Sequence, residues 1–510
     1  MINIYNPHIN NYKKSALNAI EEDWISNNGK YVELANNKLK EITQSKYSIL
    51  MANGTCATHC LFVSLKFKYP NINKIYVPNN CYVTAWNAAL MEYNINKLEV
   101  MKMDINTWNI STDEDYIYSL DKNSAVLIVH NLGNIIDVQK LKNIRPDLIF
   151  VEDNCEGMFG KCDNIYSGMS ESSLCSSCSF YGNKIITTGE GGAFFTQHED
   201  VYNYIKSIYN QDMLDTKYLF NLHAFNYGMT NVQAGFLYDQ LNDIENILEN
   251  KYKIFENYDK LLKELVELGK VQLNKSDENT KNAPLIYALR IINNNKKIEE
   301  TINFFKDNNV DIRPFFYPIN IHKHLQNILN EDNTSYLLNK DIIMIPSSLS
   351  ITYEEQKKVV DTIYKFIWYL DNIKLIEVSE ENKNEIYNNF LSTIDSTSFR
   401  YFNKRNIDCL NNHIITLVLY DIIKKIYIGY AHIDSENQYW IKIYIINEYQ
   451  NQKLGSLLLK YILQNEKVYK INEINLTVDI NNLSAIKLYK KNNFKIIKKE
   501  DTYHIMKKIN

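Results

Sequence analysis

Glycine and proline are scarce in this chain, 15 and 8 residues in 510. No Pro- or Gly-rich linker occurs, so the parts of the chain should be closely joined. Long apolar runs are missing as well: nowhere do the about 18 uninterrupted apolar residues occur that would cross a bilayer. The opening segment, MINIYNPHINNYKKSAL, has no apolar stretch of signal-peptide type, and a cytoplasmic protein is the expectation. Neither sign of charge prevails. The 56 basic and 60 acidic residues are spread along the chain and leave a net charge of -4, which advertises no face for nucleic acid or membrane and points to small-molecule partners.

What is present is an ordinary globular composition, 45% apolar and 23% charged, long enough for two or three domains with sizeable cores. In a reducing cytosol the eight cysteines, at 56, 60, 81, 155, 162, 175, 178 and 409, are small buried residues rather than a disulfide frame.

Between about residues 45 and 200 the short apolar runs YSILMA, KIYVP, AVLIVH and LIFVED alternate with helix-length segments. That alternation predicts an α/β fold around a largely parallel sheet. Residues 230–266 carry apolar residues at helical spacing with Gly235 as the one glycine and no proline, which predicts one or two long helices. A second, smaller α/β segment follows and closes with ITYEEQKKVVDTIYKFIWYL at 351–370. After DNIKL the pattern restarts, with a strand and helix in IEVSEENKNEIYNNFLSTI and strands near 413–421 and 425–432. Domains at 1–372 and 376–510 are therefore expected.

The stretch CSSCSFYGNKIITTGEGG, residues 175–192, admits several readings. A zinc site needs about four ligands, and Cys175 and Cys178 have no second pair, so no metal is expected. A phosphate loop of the G-x-x-x-x-G-K-[ST] kind is absent, and the glycines lie after the lysine. A role for Lys184 is strengthened by other segments. Asn53-Gly54-Thr55 precedes a helix-like run, where backbone N–H groups and the helix dipole would hold a phosphate. Asp153 stands at the end of an apolar strand, where parallel sheets collect their functional residues.

Together MANGTCATH, VPNNCYVTAWNAAL, VEDNCEG, SFYGNKIITTGEGGAFFT, FNYGMTNVQAG, IRPFFYP and MIPSSLS occur in the order found in one family. Across most of residues 1–370 the chain resembles the DegT/StrS-type sugar aminotransferases, pyridoxal-phosphate enzymes of fold type I that act on nucleotide-linked keto-sugars. The resemblance implies that Lys184 forms the Schiff base with the cofactor and later shuttles a proton, while Asp153 keeps the pyridine nitrogen protonated. It further implies phosphate contacts from Gly54, Thr55 and Ser179, an aromatic ring from Tyr82 stacked on the cofactor, and a contact from Glu156 to its phenolic side. Asn226 would reach the cofactor of the neighbouring subunit, which implies a homodimer, and Arg313 is the candidate for the substrate diphosphate. Gly228 stands where the family usually has Arg, and Asn154-Cys155 replace small residues.

In the C-terminal part, WIKIYIINEYQNQKLGSLLLKY at 440–461 reads as strand, polar turn and helix, with backbone N–H groups from Gln450 to Ser456 forming a second diphosphate cradle. INLTVDINNLSAIKLYKKNNFKII places Asn482, Ala485 and Tyr489 on one helix face. These segments resemble the GNAT acetyltransferase superfamily across about residues 376–510. The pyrophosphate motif appears as Gln450-x-x-Lys453-x-Gly455, with Lys453 replacing the first glycine, and Ser456 follows it. The resemblance implies acetyl-CoA as cosubstrate, a pantetheine contact from Asn482 and Tyr489 as the acid that protonates the departing thiolate. The base is not legible; Glu448 is the nearest candidate.

The two resemblances imply consecutive steps: L-glutamate-dependent amination of a nucleotide-linked keto-6-deoxyhexose, at C4 in preference to C3, followed by N-acetylation of the new amine. Two other readings stand beside this one. Family members that dehydrate the sugar replace the lysine that is present here, and a cofactor-binding regulatory or scaffold protein would carry an acetyltransferase directed at proteins.

Overall fold

In a computed structural model, the structure describes residues 1–212, 216, 218–392, 394, 407–435, 438–450 and 454–509. The chain divides into two compact units, Met1–Gln356 and Lys357–Asn510.

The four apolar runs become strands of one sheet. Its seven strands lie in the order Tyr47–Met51, Gly192–Thr196, Ser173–Ser179, Ile149–Asp153, Ala125–Val129, Ile75–Pro78, Leu98–Met101. Only Gly192–Thr196 runs against its neighbours. The central strands AVLIV and IFVED are buried at every residue, as strands covered on both faces must be. One covering element is the helix Gly54–Lys68, whose residues Ala57 to Leu65 are all buried. A helix apolar around its whole circumference belongs inside a core.

Since strands alternate their side chains between faces, residues three apart point in opposite directions. Cys175 and Cys178 on the strand Ser173–Ser179 obey this: each sits in a different apolar cluster, one on either side of the sheet. A C-x-x-C on a strand cannot close on itself, and burial pushes both thiols well up from their ordinary range.

Residues 230–266 form two helices, Asn231–Leu241 and Ile244–Glu267. The first starts at a capping box, Thr230 with Gln233. The second runs its buried stripe of Ile244, Ile247, Ile254, Tyr258 and Leu262 toward a four-stranded antiparallel sheet ordered Val271–Gln272, Tyr287–Ile291, Ile342–Ile345, Arg313–Pro314. Polar contacts fasten the helix there, among them Tyr258 Oη donating to the Pro346 carbonyl at 2.6 Å, Tyr252 Oη to the Asn282 carbonyl at 2.9 Å, and Gln356 Nε2 to the Ile254 carbonyl at 2.8 Å.

The second unit is a seven-stranded sheet, Ile373–Glu377, His413–Asp421, Ile426–Asp434, Trp440–Ile445, Glu473–Asp479, Tyr503–Ile509, Lys495–Lys499. All pairings are antiparallel but one. Trp440–Ile445 and Glu473–Asp479 are parallel and meet at a single register pair, Trp440 with Asn475. No helix among the described residues is long and apolar enough to cross a membrane.

Because Cys175 and Cys178 serve only as core atoms, the double variant Cys175→Ala, Cys178→Ala should lose about 1–3 kcal/mol of stability. Its amine-transfer rate, assayed below the new melting temperature, should stay within about twofold of the parent. An inactive but folded variant would contradict the assignment.

Candidate active site

The C-terminal edge of the parallel strands opens on a cavity of about 760 Å³ lined by Gly54, Thr55, Tyr82, Asp153, Glu156, Ser179, Lys184 and Arg313. The sequence gathers these residues from five separate stretches, and the sheet brings them to one place.

At the head of the helix Gly54–Lys68, the Asn53 side chain accepts the Cys56 N–H at 2.9 Å. Gly54 and Thr55 come earlier still, where no intrahelical carbonyl can reach their N–H groups. Ser179, at the end of its strand, lies so close that a Cβ added to Gly54 would stand 2.7 Å from Ser179 Cβ and 2.9 Å from its Oγ. Gly192 makes that approach possible. It pairs with both Met51 and Ser179, and a Cβ there would meet the Asn53 and Cys178 carbonyl oxygens at 2.6 and 2.8 Å. Two N–H groups, one hydroxyl and the positive end of the helix make a cradle that fits a phosphate.

Asp153 closes its strand in register with Val129 and Ser177. It is buried, and its Oδ1 accepts the Cys155 N–H at 3.1 Å. Beneath it, His130 accepts the Ile136 N–H at Nδ1, 3.1 Å, so its Nε2 carries the hydrogen donated to Glu152 at 2.9 Å. Glu152 also accepts from the Gly168 N–H and the Ser173 hydroxyl. This buried pair supports the strand end on which Asp153 sits.

Lys184 rides on a closed loop. Phe180 N–H donates to the Gly191 carbonyl at 2.8 Å and Thr188 N–H to the Phe180 carbonyl at 2.9 Å, while Gly189 at φ +81° makes the turn. Gln240 staples the loop to a helix, accepting the Thr187 N–H at 2.9 Å and donating to the Thr187 carbonyl at 2.7 Å. Lys184 Nζ lies 3.8 Å from Glu156 Oε1. Glu156 Oε2 accepts the N–H of Leu132 at 2.8 Å, a buried leucine held at φ +54°, which is costly for that residue. Burial pushes the Glu156 carboxyl above its ordinary range, against the pull of Lys184.

Tyr82 presents its ring on the cavity wall, 62% exposed and 6.4 Å edge-on from Phe316. Arg313 stands at the same cavity but is ion-paired with Asp311 and donates to the Ile312 carbonyl at 2.9 Å. Asn226 is not brought to this cavity: it is exposed and bridges Asn210. Gly228 has a local reason to lack a side chain, since a Cβ there would lie 2.7 Å from Asn27 Nδ2. Of the two unusual residues after Asp153, Asn154 is fully buried and bonds the Ser167 carbonyl at 2.8 Å, whereas Cys155 lines the cavity. Lys251 also lines the cavity and escaped the sequence reading. The one available signal was a lysine standing within the apolar stripe of its helix.

In the second unit, Gly455 and Ser456 open the helix Leu454–Gln464, and a Cβ on Gly455 would touch Ile445 Cγ1 at 3.8 Å. The Gln450 amide is turned back onto the preceding strand end, donating to the Ile445 carbonyl and Asn447 Oδ1, each at 3.0 Å. Lys453 lies outside the described residues. Asn482 caps the helix Leu483–Lys491 by accepting the Ala485 N–H at 3.0 Å, which leaves its NH₂ for a ligand. Tyr489 is buried about two turns beyond Asn482, and burial pushes its phenol up to about 12. Glu448 is exposed in the turn Asn447–Tyr449.

The model of the DegT/DnrJ/EryC1/StrS aminotransferase family matches residues 8–364, and that of an acetyltransferase (GNAT) domain matches 412–496. A GDP-perosamine synthase of Escherichia coli O157:H7 is 26% identical over 373 residues, covering 72% of this chain and 98% of the relative. A dTDP-4-amino-4,6-dideoxy-D-glucose transaminase of Shigella dysenteriae is 24% identical, covering 66% of this chain and 91% of the relative. Among solved structures, a GDP-4-keto-6-deoxymannose-3-dehydratase with a trapped PLP-glutamate geminal diamine superposes with a TM-score of 0.63 at 18% identity, covering 71% of this chain and all of that one. The first unit has the fold of these enzymes and uses pyridoxal phosphate, and the GNAT domain uses acetyl-CoA as cosubstrate.

Gly54→Ala should drive a methyl group into Ser179 and open the cradle. Pyridoxal phosphate retained after desalting, read as visible absorbance, should fall at least about tenfold while the chain remains folded. Undiminished retention would place the phosphate elsewhere.

Proposed function

Because the chain belongs to the DegT/DnrJ/EryC1/StrS aminotransferase family, we propose that its first unit transfers the amino group of L-glutamate to C4 of a nucleotide-linked 4-keto-6-deoxyhexose and that its GNAT domain then acetylates that amine. The observation that carries the reading is the convergence of Lys184, Asp153 and the Gly54–Ser179 cradle on one cavity. Its product would be an acetamido-dideoxysugar nucleotide. Amination at C4 is supported by the likeness to the Shigella dysenteriae dTDP-4-amino-4,6-dideoxy-D-glucose transaminase. The presence of Lys184 favours amination over dehydration.

The residues fit the cofactor. Gly54, Thr55 and Ser179 would hold its phosphate, Tyr82 its ring face and Glu156 its phenolic side. When bound, pyridoxal phosphate supplies an aldehyde that takes up the amino group and a ring that delocalises an electron pair. Asp153, a buried carboxylate, would hold a proton on the ring nitrogen and so keep that ring electron-poor. Lys184 Nζ would carry a proton between the cofactor carbon and the substrate carbon. Its neighbour Glu156, whose carboxyl burial holds above its ordinary range, would stand beside the phenolic oxygen. Asn226, exposed on its own unit, suits a contact made across a homodimer.

In the second unit the amine nitrogen would attack the thioester carbonyl and lose a proton to solvent, the C–S bond would break to release the thiolate, and solvent would return a proton to the Tyr489 phenol. Tyr489, protonated at neutral pH, would donate to the sulfur as charge develops there. Gly455 and Ser456 would supply backbone N–H groups to the diphosphate, and Asn482 Nδ2 would hold the pantetheine arm. The seven cysteines whose side chains are described are all free, which suits a reducing, cytoplasmic setting.

Lys184→Ala should abolish amine transfer from glutamate while still acetylating a supplied 4-amino-sugar nucleotide at the native rate. Tyr489→Phe should do the reverse, slowing acetyl transfer about 100-fold or more and sparing transamination. Mass analysis of a panel of 3-keto and 4-keto sugar nucleotides incubated with glutamate and acetyl-CoA reads both steps. Turnover of none of them would sink the proposal.

A further inference from the structure

Three lysine or arginine side chains line the cavity among the described residues: Lys184, Lys251 and Arg313. Lys184 faces Glu156, and Arg313 is paired with Asp311. Among the described residues Lys251 has only neutral partners. Its ammonium donates to the Leu285 carbonyl at 2.8 Å and the Ser347 carbonyl at 2.7 Å, and the residue is 4% exposed. It occupies the buried stripe of the helix Ile244–Glu267 between Ile247 and Ile254, with Nζ 5.6 Å from the centre of the Phe255 ring.

Lys251 lines the same cavity as Lys184. Leu285, whose carbonyl it holds, also walls the small recess shared by Lys184, Glu156 and Ile185. An ammonium so far from water and without a counter-charge is costly to keep. Burial alone pushes it down to about 7. An arriving anion would restore the charge, and the third N–H of the ammonium is left to bind it.

We propose that Lys251 holds a carboxylate of the dicarboxylate amino donor, glutamate, and of the keto acid it becomes. The inference rests on the transaminase reading. The two substrates of such an enzyme occupy one cavity in turn, and only the amino donor brings carboxylates. A cation reserved for that group strengthens the first half-reaction and leaves the second alone. The sugar nucleotide brings another anion, its diphosphate, so the two sources must be separated by experiment.

In the full-length holoenzyme, Lys251→Met should raise the glutamate concentration that half-saturates the change in visible absorbance at least about tenfold. The reverse half-reaction, driven by a 4-amino-sugar nucleotide, should stay within about twofold. A measurement on the native enzyme does not depend on the variant folding: binding of maleate, an unreactive dicarboxylate, at pH 8 should take up protons, read by calorimetry in buffers of different ionisation enthalpy, and Lys251→Met should abolish that uptake. Equal weakening of both half-reactions would reduce Lys251 to a clamp between helix and sheet and overturn the inference. Weakening confined to the sugar nucleotide would assign it to the diphosphate instead. If the native enzyme shows no absorbance change with glutamate, the transaminase reading fails first and takes this inference with it.

Discussion

Two backbone segments approach each other at Gly54 and Ser179 to within a distance that admits no methyl group, a Cβ on Gly54 falling 2.7 Å from Ser179 Cβ. The approach is set by the sheet. One antiparallel strand, Gly192–Thr196, separates the strand that feeds the helix Gly54–Lys68 from the strand that ends in Ser179, and its first residue must be glycine for both ends to close. Once they close, a helix N-terminus and a serine hydroxyl face one point. The Asp153 strand is the next in order, so its carboxylate reaches the same opening. The loop that carries Lys184 leaves from Ser179 and is returned by hydrogen bonds to Phe180 and Gln240. Cradle, carboxylate and lysine therefore share one origin in the register of the sheet.

Charge is handled with the same economy. Asp153, Glu156, Lys184 and Lys251 are all removed from most solvent, and each has a defined polar partner. Burial moves two of them toward their neutral forms, Glu156 toward the acid and Lys251 toward the free amine. Shifts of that kind bring proton affinities toward neutrality, where acid–base chemistry on a cofactor operates. The strained Leu132 belongs to this arrangement, since its left-handed backbone aims the N–H that holds Glu156.

Much of this was legible in the residues themselves. The four apolar runs marked the parallel strands because each is buried on both faces and needs no alternation, and residues 230–266 read as helix because their apolar spacing is unbroken. The glycines after Lys184 read as a turn, and Gly189 makes one. Other features depend on contacts between distant segments. Nothing local indicates that Gly228 lies against Asn27, that Arg313 is engaged by Asp311, or that Asn226 faces away from its own cavity. The C-x-x-C was ambiguous until its place on a strand put the two sulfurs on opposite faces. Lys251 was visible as a charge in an apolar stripe, but only the fold reveals that this part of the stripe lines the cavity.

The most direct test of the account follows both transferred groups in one reaction. The native enzyme is given nitrogen-labelled glutamate, acetyl-labelled acetyl-CoA and a nucleotide-linked 4-keto-6-deoxyhexose, and the sugar nucleotide is recovered for mass and nuclear magnetic resonance analysis. The account predicts one product carrying the labelled nitrogen at C4 with the labelled acetyl group on that nitrogen. A sugar that returns without labelled nitrogen would contradict it.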